Sequence, residues 1–235
     1  MWHKTRKILA AGRLSSALFG YRKYEIGRYD MFIVFEGIDG AGKTTQIELL
    51  ADKLRAAGLD PYVTAEPTGM ETGRAIRRVL SGAVPKTPTQ VAAMFVQDRI
   101  DHNVDPDQGI EGKLAAGRAV ICDRYYYSSL AYQGSLTDFD WVMAANCDCP
   151  EIRRPDLCIF LDLSPEESMK RITKGRTQVE IYEKAETLTK FRAQYMNVFQ
   201  KLRERGEQIE IIDASGNIEQ TAEAINKAIF KHFGI

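Results

Sequence analysis

A glycine-rich segment near residue 40 carries the clearest chemical signal in the chain. Residues 37–44 read Gly-Ile-Asp-Gly-Ala-Gly-Lys-Thr and fit the pattern G-x-x-x-x-G-K-[ST]. The apolar run 32–35 precedes them, and the helical pattern 46–50 follows. A strand, a glycine-rich loop and a helix in this order are the context that a phosphate-binding P-loop requires. The segment predicts a binding site for a nucleoside triphosphate, and a chance match by a glycine-rich turn is the weaker alternative.

Each part of this loop has its own chemical task. The glycines let successive backbone N–H groups turn toward a phosphate without a clash from a Cβ atom. Lys43 is then placed to reach the β- and γ-phosphates, and the Thr44 hydroxyl to bind Mg²⁺. The residues predicted to bind ATP are Gly37, Asp39, Gly40, Ala41, Gly42, Lys43, Thr44 and Thr45.

A second charged pair follows another apolar run. Asp123 and Arg124 come directly after residues 118–122, which have the pattern of a buried strand. An aspartate in this place can hold Mg²⁺, directly or through water, and an arginine can bind a phosphate through two N–H groups. The alternative is that the two residues pair with each other and cap the next helix, since structural ion pairs are common.

Strands and helices alternate along the chain. Strands are predicted at 32–35, 61–65, 118–122, 157–161 and 208–212. Helices are predicted at 43–57, 70–80, 88–103, 107–116, 126–133, from 164, at 179–205 and at 217–233. This alternation predicts an α/β fold, a P-loop NTPase three-layer sandwich with a five-stranded parallel sheet flanked by helices. Ligands of such sheets bind at the carboxyl ends of the strands, which places Asp39, Glu66, Asp123 and Arg124 around one cleft.

Composition and charge describe an ordinary globular protein. The chain has 235 residues, 44% of them apolar, and its formal net charge is zero. We therefore expect no nucleic-acid partner, and no apolar run approaches the roughly 20 residues of a membrane span. Cys122, Cys147, Cys149 and Cys158 lack histidines at metal-ligand spacing, so they are interpreted as reduced thiols, and a cytoplasmic location is expected.

Residues 1–30 differ from the rest of the chain. Their lysines and arginines face only Glu25 and Asp30, and no strand–turn–helix pattern is visible. Such a stretch can be a transit peptide. We favour an extension without a targeting role, or a start codon placed too early, because Met31 directly precedes the first strand. Residues 31–235 are predicted to form the single domain.

Four further motifs occur in a fixed order. They are Glu66-Pro67-Thr68, Phe95-x-x-Asp98-Arg99-x-x-His102, Asp123-Arg124-Tyr125-x-x-Ser128-x-x-Ala131-Tyr132, and Pro155-Asp156-Leu157 leading to Leu161-Asp162. Together with the P-loop they resemble the thymidylate kinases, and the resemblance covers essentially everything from Met31 onward. It implies phosphorylation of dTMP to dTDP by ATP with Mg²⁺, carried out by a homodimer.

The resemblance also implies roles for residues that would bind the nucleoside. Phe95 matches the aromatic residue that stacks on the thymine ring, and Arg99 the arginine that contacts the base edge. Ser128 and Ser129 match positions that line the base pocket, and Tyr132 resembles the ring beside the 2′ position of the sugar. Each aromatic residue could instead be an ordinary core residue.

Further positions match residues that would contact phosphates and metal. Arg124 matches the arginine that grips the monophosphate, Asp39 a carboxylate near the 3′-hydroxyl, and Glu66 a substrate-binding carboxylate. Tyr182 and Glu183 resemble a Tyr-Glu pair after the lid, the tyrosine at the substrate and the glutamate at the metal. The metal set is then Thr44, Asp123 and Glu183, and residues 213–216 occupy the place of the adenine loop.

The chain departs from the family pattern at two places. Ala65 stands where many members have an arginine, so the monophosphate would depend on Arg124, with Arg74 as a second candidate. The P-loop has no basic residue besides Lys43, so positive charge must come from elsewhere.

We expect that charge from a short lid at residues 171–176, although a solvated basic turn is the alternative. Arg176 is preferred to Arg171 and Lys174 because it follows Gly175 and carries a planar guanidinium. The predicted catalytic residues are therefore Lys43, Arg124 and Arg176.

Two other functions stay open on the sequence alone. One is another nucleoside or nucleoside-monophosphate kinase, and the other is a P-loop regulatory protein without turnover. The homodimer is also supported by the helices at 88–103 and 126–133, whose apolar residues exceed one buried stripe. Burial of such a helix between the sheet and neighbouring helices of its own chain is the alternative.

Overall fold

A computed structural model of the chain describes residues 31–173 and 185–235. Within them, β1 Phe32–Glu36, β2 Pro61–Ala65, β3 Ala119–Asp123, β4 Leu157–Asp162 and β5 Ile209–Asp213 form one sheet. All neighbouring strands are parallel, in the order β2-β3-β1-β4-β5. The predicted five-stranded parallel sheet is confirmed. The assignment of residues 1–30 as an extension stays a prediction, because they lie outside the described residues.

Helices cover both faces of this sheet. They are α1 Lys43–Ala56, α2 Glu71–Leu80, α3 Pro88–Val104, α4 Ile110–Ala115, α5 Tyr126–Tyr132, α6 Phe139–Cys147, α7 Pro165–Thr173, α8 Ala185–Glu204 and α9 Ile218–Phe233. Helices α1 and α9 contribute to the apolar core on one face, and α5 and α8 to the core on the other. The three-layer arrangement is therefore confirmed as well. No described helix combines the length and apolar character needed to cross a membrane.

The central strand β1 shows why the strands read as unbroken apolar runs. Phe32 and Val34 pack into one core, and Ile33 and Phe35 into the other, all with no solvent exposure. A strand that is buried on both faces has no polar face, so hydrophobic alternation is lost. The charged residue that closes this strand, Glu36, is equally buried.

Helix starts follow their capping residues. At α3, the Thr87 side chain accepts from the backbone N–H of Gln90, and the Gln90 side chain accepts from the backbone N–H of Thr87. Pro88 occupies the first turn, where its missing N–H costs nothing. This start agrees with the prediction, because all of its determinants are local in sequence.

Several element assignments from the sequence need correction. Helix α4 begins at Ile110 rather than 107, because the Asp105 carboxylate accepts from the N–H groups of residues 107 and 108 and forms a turn. Helix α6 was not predicted, although Asp138 caps it by accepting from the N–H of Trp141. Strands β1, β3, β4 and β5 each end one residue later than predicted, so β1 includes Glu36 and the other three include their terminal aspartates. The predicted start of the helix at 179 lies outside the described residues.

Candidate active site

The P-loop lies between the end of β1 and the start of α1. Gly37 and Gly40 both have positive φ, at 149° and 78°. A Cβ atom on Gly37 would lie 2.9 Å from the Leu161 carbonyl oxygen, and one on Gly40 would lie 3.0 Å from that of Ser168. Both positions therefore require glycine, for conformation and for space.

Lys43 and two threonines line the cleft that this loop borders. Lys43 is only 8% exposed, and its Nζ donates to the Gly37 carbonyl at 3.2 Å. Burial lowers the pKa of Lys43, as does the positive charge of Arg124. Thr44 and Thr45 are exposed at the mouth of the cleft. The residues lining this phosphate cleft are Asp39, Gly40, Gly42, Lys43, Thr44, Thr45, Ala65, Glu66, Asp123 and Arg124.

The order of the strands explains why these residues meet. Strands β2, β3 and β1 are neighbours, so their carboxyl ends bring together Ala65, Asp123 and the P-loop. The four residues that the sequence placed around one cleft, Asp39, Glu66, Asp123 and Arg124, all line it. The predicted juxtaposition is present, while the chemical roles stay predictions.

Asp123 is the residue in this cleft best suited to a metal ion. Its Oδ1 atom is buried and has no hydrogen-bond partner among the described residues. An unsatisfied buried acceptor is costly, and a carboxylate oxygen is a favoured ligand of Mg²⁺. Thr44 lies in the same cleft, so these two residues fit the predicted cation, whereas Glu183 lies outside the described residues.

Arg124 stands between the phosphate cleft and a second pocket. Its backbone has φ of +68°, a left-handed conformation that is uncommon for a residue with a side chain. Its Nη2 forms an ion pair with Asp39, whereas an Asp123–Arg124 pair is not present in the described part of the chain. Its Nη1 lies 3.2 Å from the Ser128 hydroxyl and 3.4 Å from that of Tyr195. The guanidinium is thus held on both sides.

Glu36, buried directly behind Arg124, is a residue that the sequence reasoning missed. Its Oε1 accepts from the backbone N–H of Tyr125 at 2.9 Å and of Ser128 at 3.1 Å. Its Oε2 accepts from the hydroxyls of Ser128 at 2.7 Å and Tyr195 at 2.9 Å. Burial raises the pKa of Glu36, and the charge of Arg124 opposes that change. The sequence did contain one indication of its importance, because Glu36 is a single carboxylate at the end of an otherwise apolar strand.

The second pocket, here called the acceptor pocket, adjoins the phosphate cleft. Its lining residues are Asp39, Glu66, Pro67, Leu80, Phe95, Arg99, Arg124, Tyr125, Ser128, Tyr132 and Gln133. Most residues predicted to bind the substrate are among them. Ser129 differs, because its hydroxyl accepts from Arg99 Nη2 at 3.2 Å and it does not line the pocket. Tyr182 lies outside the described residues.

A buried network fixes the orientation of Arg99 beside this pocket. Its Nε and Nη2 donate to Glu66 Oε2 at 2.9 and 2.6 Å, and its Nη1 donates to the Asn146 side-chain oxygen. The second Glu66 oxygen contacts His102 Nδ1 at 3.0 Å, and His102 Nε2 lies 2.8 Å from the Thr64 hydroxyl. The sequence pointed to Glu66 and Arg99 but not to Asn146, which comes from the unpredicted helix α6.

The structure locates Ala65, where the chain departs from the family pattern, and Arg74, the second candidate for the monophosphate. Ala65 is exposed at the end of β2 and lines the phosphate cleft, where its methyl group brings no charge. Arg74 is exposed, donates to the Gly69 carbonyl at 2.6 Å and lines neither the phosphate cleft nor the acceptor pocket. Its candidacy for the monophosphate is therefore not supported.

A third pocket continues from the other side of the P-loop. It is lined by Gly40, Ala41, Gly42, Thr45, Gln46, Arg171, Ala214, Gly216, Asn217, Ile218, Glu219 and Thr221, so it borders the predicted adenine loop. Arg171 belongs to α7, and its Nη2 donates to the Ala214 carbonyl at 3.0 Å. Lys174 and Arg176 lie outside the described residues, so the expected lid stays a prediction.

A P-loop at the carboxyl edge of a parallel sheet, with a pocket on each side, defines a nucleotide-binding P-loop protein. The sequence model described as "Thymidylate kinase" matches residues 35–225. The chain therefore belongs to the thymidylate kinase family.

Relatives cover most of the chain. It is 39% identical over 207 residues to a "Probable thymidylate kinase" of Pyrococcus horikoshii. The aligned region covers 86% of this chain and 96% of the relative. It is 40% identical over 199 residues to a "Probable thymidylate kinase" of Thermococcus onnurineus, with 80% and 92% covered. A "Thymidylate kinase" of Desulfotalea psychrophila is 39% identical over 160 residues, with 67% and 76% covered.

Proposed function

We propose that this chain transfers the γ-phosphoryl group of ATP to dTMP, giving dTDP and ADP. The observation that carries the proposal is that the phosphate cleft and the acceptor pocket share Asp39, Glu66 and Arg124. A phosphate held at the mouth of the acceptor pocket would therefore lie next to the phosphates held by the P-loop. Such proximity accounts for much of enzymatic phosphoryl transfer. Membership of the thymidylate kinase family supports dTMP as the acceptor.

Phe95 and Arg99 are suited to select the base. Four of the five N–H donors of Arg99 are engaged by Glu66, Ser129 and Asn146, which leaves one on Nη1 within the described contacts. That remaining donor suits a carbonyl oxygen of thymine. The Phe95 ring is partly buried and lines the same pocket, where it offers a surface for stacking. Tyr132 would lie beside the sugar.

Lys43 and Arg124 would hold the transferring group between them. The acceptor is an ionised phosphate, so position and positive charge are the main requirements and a general base is not needed. Thr44 and Asp123 would hold Mg²⁺, with Glu183 as the third residue of the predicted set. When bound, Mg²⁺ neutralises charge on the β- and γ-phosphate oxygens.

The proposal includes a lid arginine, Arg176. The described support is that α7, which ends at Thr173, touches the P-loop, because Ser168 Oγ donates to the Asp39 carbonyl. We expect Arg176→Ala to lower kcat and kcat/KM together by at least about 10²-fold, and Arg176→Lys to restore part of the loss. Matched variants of Arg171 and Lys174 identify the residue. Normal turnover by all three alanine variants would contradict the lid.

An acceptor panel tests the reaction itself. ADP formation would be measured with dTMP, dUMP, dCMP, AMP, GMP and thymidine, each at several concentrations and with ATP in excess. We expect dTMP to have the highest kcat/KM. A higher value for another acceptor identifies a different kinase, and ADP release that does not depend on acceptor, or none at all, supports a regulatory P-loop protein.

A homodimer is also proposed. On α3, Ala92 is buried and Val96 packs against the core, while Val91 and Met94 remain partly exposed, so the helix has apolar surface beyond its own core contact. Helix α5 does not add to this surface, because its apolar residues are buried within the chain. A monomer mass by light scattering at micromolar concentration would contradict this. The four cysteines are free thiols, which suits a reducing compartment, and we propose the cytoplasm.

A further inference from the structure

Glu36 lies behind the site rather than in it. It is completely buried and lines neither the phosphate cleft nor the acceptor pocket. All four groups around its carboxylate are donors, namely two backbone N–H groups and two hydroxyls. An ionised carboxylate only accepts hydrogen bonds, so it can accept from all four groups at once.

The carboxylate sets the direction of two hydroxyl groups. Ser128 and Tyr195 both donate toward Glu36 Oε2, and their oxygens lie 2.8 Å apart. Each hydroxyl has a single proton, and its described acceptors are Glu36 Oε2 and the other hydroxyl, whereas the arginine offers no acceptor. Lone pairs therefore face Arg124, whose guanidinium can only donate. The two oxygens are positioned to accept from its Nη1.

Glu36 also acts on the main chain beside Arg124. Tyr125 is the N-cap residue of α5 and Ser128 is its third helical residue, and α5 receives no cap from its own N-cap side chain. The N–H groups of both residues donate instead to Glu36, the last residue of strand β1. The carboxylate thus satisfies donors that a helix start leaves unpaired. It fixes the peptide that follows the left-handed backbone of Arg124.

We propose that Glu36 is a positioning residue for the phosphate of the acceptor. It holds Arg124 in the orientation that grips the monophosphate, through the α5 main chain on one side and through Ser128 and Tyr195 on the other. Glu36 itself contacts neither substrate. The inference rests on the proposed function, because it assigns the Arg124 guanidinium to dTMP.

The test compares two ligands that differ only in the phosphate. Binding of dTMP and of thymidine would be measured by calorimetry for the wild-type chain and for Glu36→Gln, with KM for both substrates in parallel. The glutamine side chain keeps the shape of the glutamate, but its NH₂ group would donate toward hydroxyls that now donate to the carboxylate. We expect dTMP to bind about 10- to 100-fold more weakly, since hydrogen bonds to charged groups are at stake. Thymidine affinity and the KM for ATP should stay unchanged.

Two further variants make the result decisive. Glu207→Gln is the matched control, because Glu207 is also a buried carboxylate and has no hydrogen bond to Arg124 among the described contacts. It should bind dTMP like the wild type. Tyr195→Phe removes one of the two oriented hydroxyls, so it should weaken dTMP binding in the same direction by a smaller factor.

Each result bears on one hypothesis. Wild-type affinity for dTMP in Glu36→Gln overturns the inference, and so does an equal loss for dTMP and thymidine, which indicates general distortion. If Glu36→Gln does not fold, unchanged dTMP affinity in Tyr195→Phe overturns it. A wild-type chain that neither binds nor phosphorylates dTMP overturns the proposed function instead.

Discussion

The phosphate cleft and the acceptor pocket are neighbours, yet different kinds of contact shape them. At the P-loop, side chains bind main-chain carbonyls, as Lys43 does with Gly37 and Ser168 with Asp39. In the acceptor pocket, side chains bind other side chains, as Arg99 does with Glu66. The first arrangement depends on the path of one loop. The second depends on residues from several elements that must each be correctly packed.

This difference predicts where each half is vulnerable. A loop whose backbone path depends on glycines tolerates changes of nearby side chains. It does not tolerate an added Cβ atom at a glycine that is closely surrounded by other atoms. A buried polar network tolerates little, because removing one partner leaves another unsatisfied. Four predictions use the difference, in order of decreasing effect.

The largest effect is expected for Glu66→Ala in the acceptor pocket. Arg99 is 1% exposed, and its ion pair with Glu66 would be lost, so a charge would stay buried without its partner. We expect a loss of about 3–5 kcal/mol in the free energy of unfolding, measured with urea. Glu111→Ala breaks the exposed pair with Arg153 and should cost at most about 1 kcal/mol. Equal losses would mean that the network is not a special feature of this pocket.

A somewhat smaller effect is expected at the P-loop for Lys43→Ala. This side chain is expected to stabilise charge on the transferred group, so kcat should fall about 10²- to 10³-fold. Stability should change little, because Lys43 makes one hydrogen bond among the described contacts, and its removal also removes a buried charge. Lys53→Ala, on the exposed side of the same helix, is the control. Normal turnover by Lys43→Ala would contradict its catalytic role.

Phe95→Ala examines the acceptor pocket without breaking a polar contact. Stacking on a nucleobase is worth about 1–3 kcal/mol, so the KM for dTMP should rise roughly 5- to 150-fold. The KM for ATP should be nearly constant. Val104→Ala changes an exposed apolar residue of the same helix and should alter neither value. If Phe95→Ala keeps the wild-type KM for dTMP, Phe95 is only a packing residue.

The smallest effect is the difference between two glycine variants. Gly40 and Gly58 have nearly the same φ, +78° and +82°. A Cβ atom on Gly40 would lie 3.1 Å from Ile172 Cγ1, whereas one on Gly58 meets no described atom within 4 Å. Gly40→Ala should therefore destabilise the chain by about 1 kcal/mol more than Gly58→Ala, measured by thermal unfolding. Equal losses would show that conformation alone matters there.

The same contrast explains what the sequence could and could not predict. The P-loop, strand β2 and the start of α3 depend on neighbours in sequence, and all three agree with the prediction. Glu36 acquires its contacts only when β1 is packed against α5 and α8, and Asn146 only when α6 is packed against α3. Residue type alone does not specify such partners.

Serines 128 and 129 illustrate the limit within a single helix. They are adjacent and chemically identical, and the resemblance to the family gave both the same role. Successive helical side chains point about 100° apart, so Ser128 lines the acceptor pocket while Ser129 contacts Arg99. The rotation of α5 about its axis decides which serine faces the pocket, and Glu36 of strand β1 caps that helix.

The left-handed backbone of Arg124 has a conformational cost that replacement by glycine would remove. A residue with a Cβ atom in this conformation costs about 1–2 kcal/mol relative to glycine. Replacement by glycine would relieve that cost while removing the guanidinium, whereas alanine would keep the cost and lose the group as well. Random mutagenesis followed by selection for thermal resistance alone would therefore favour glycine over alanine here.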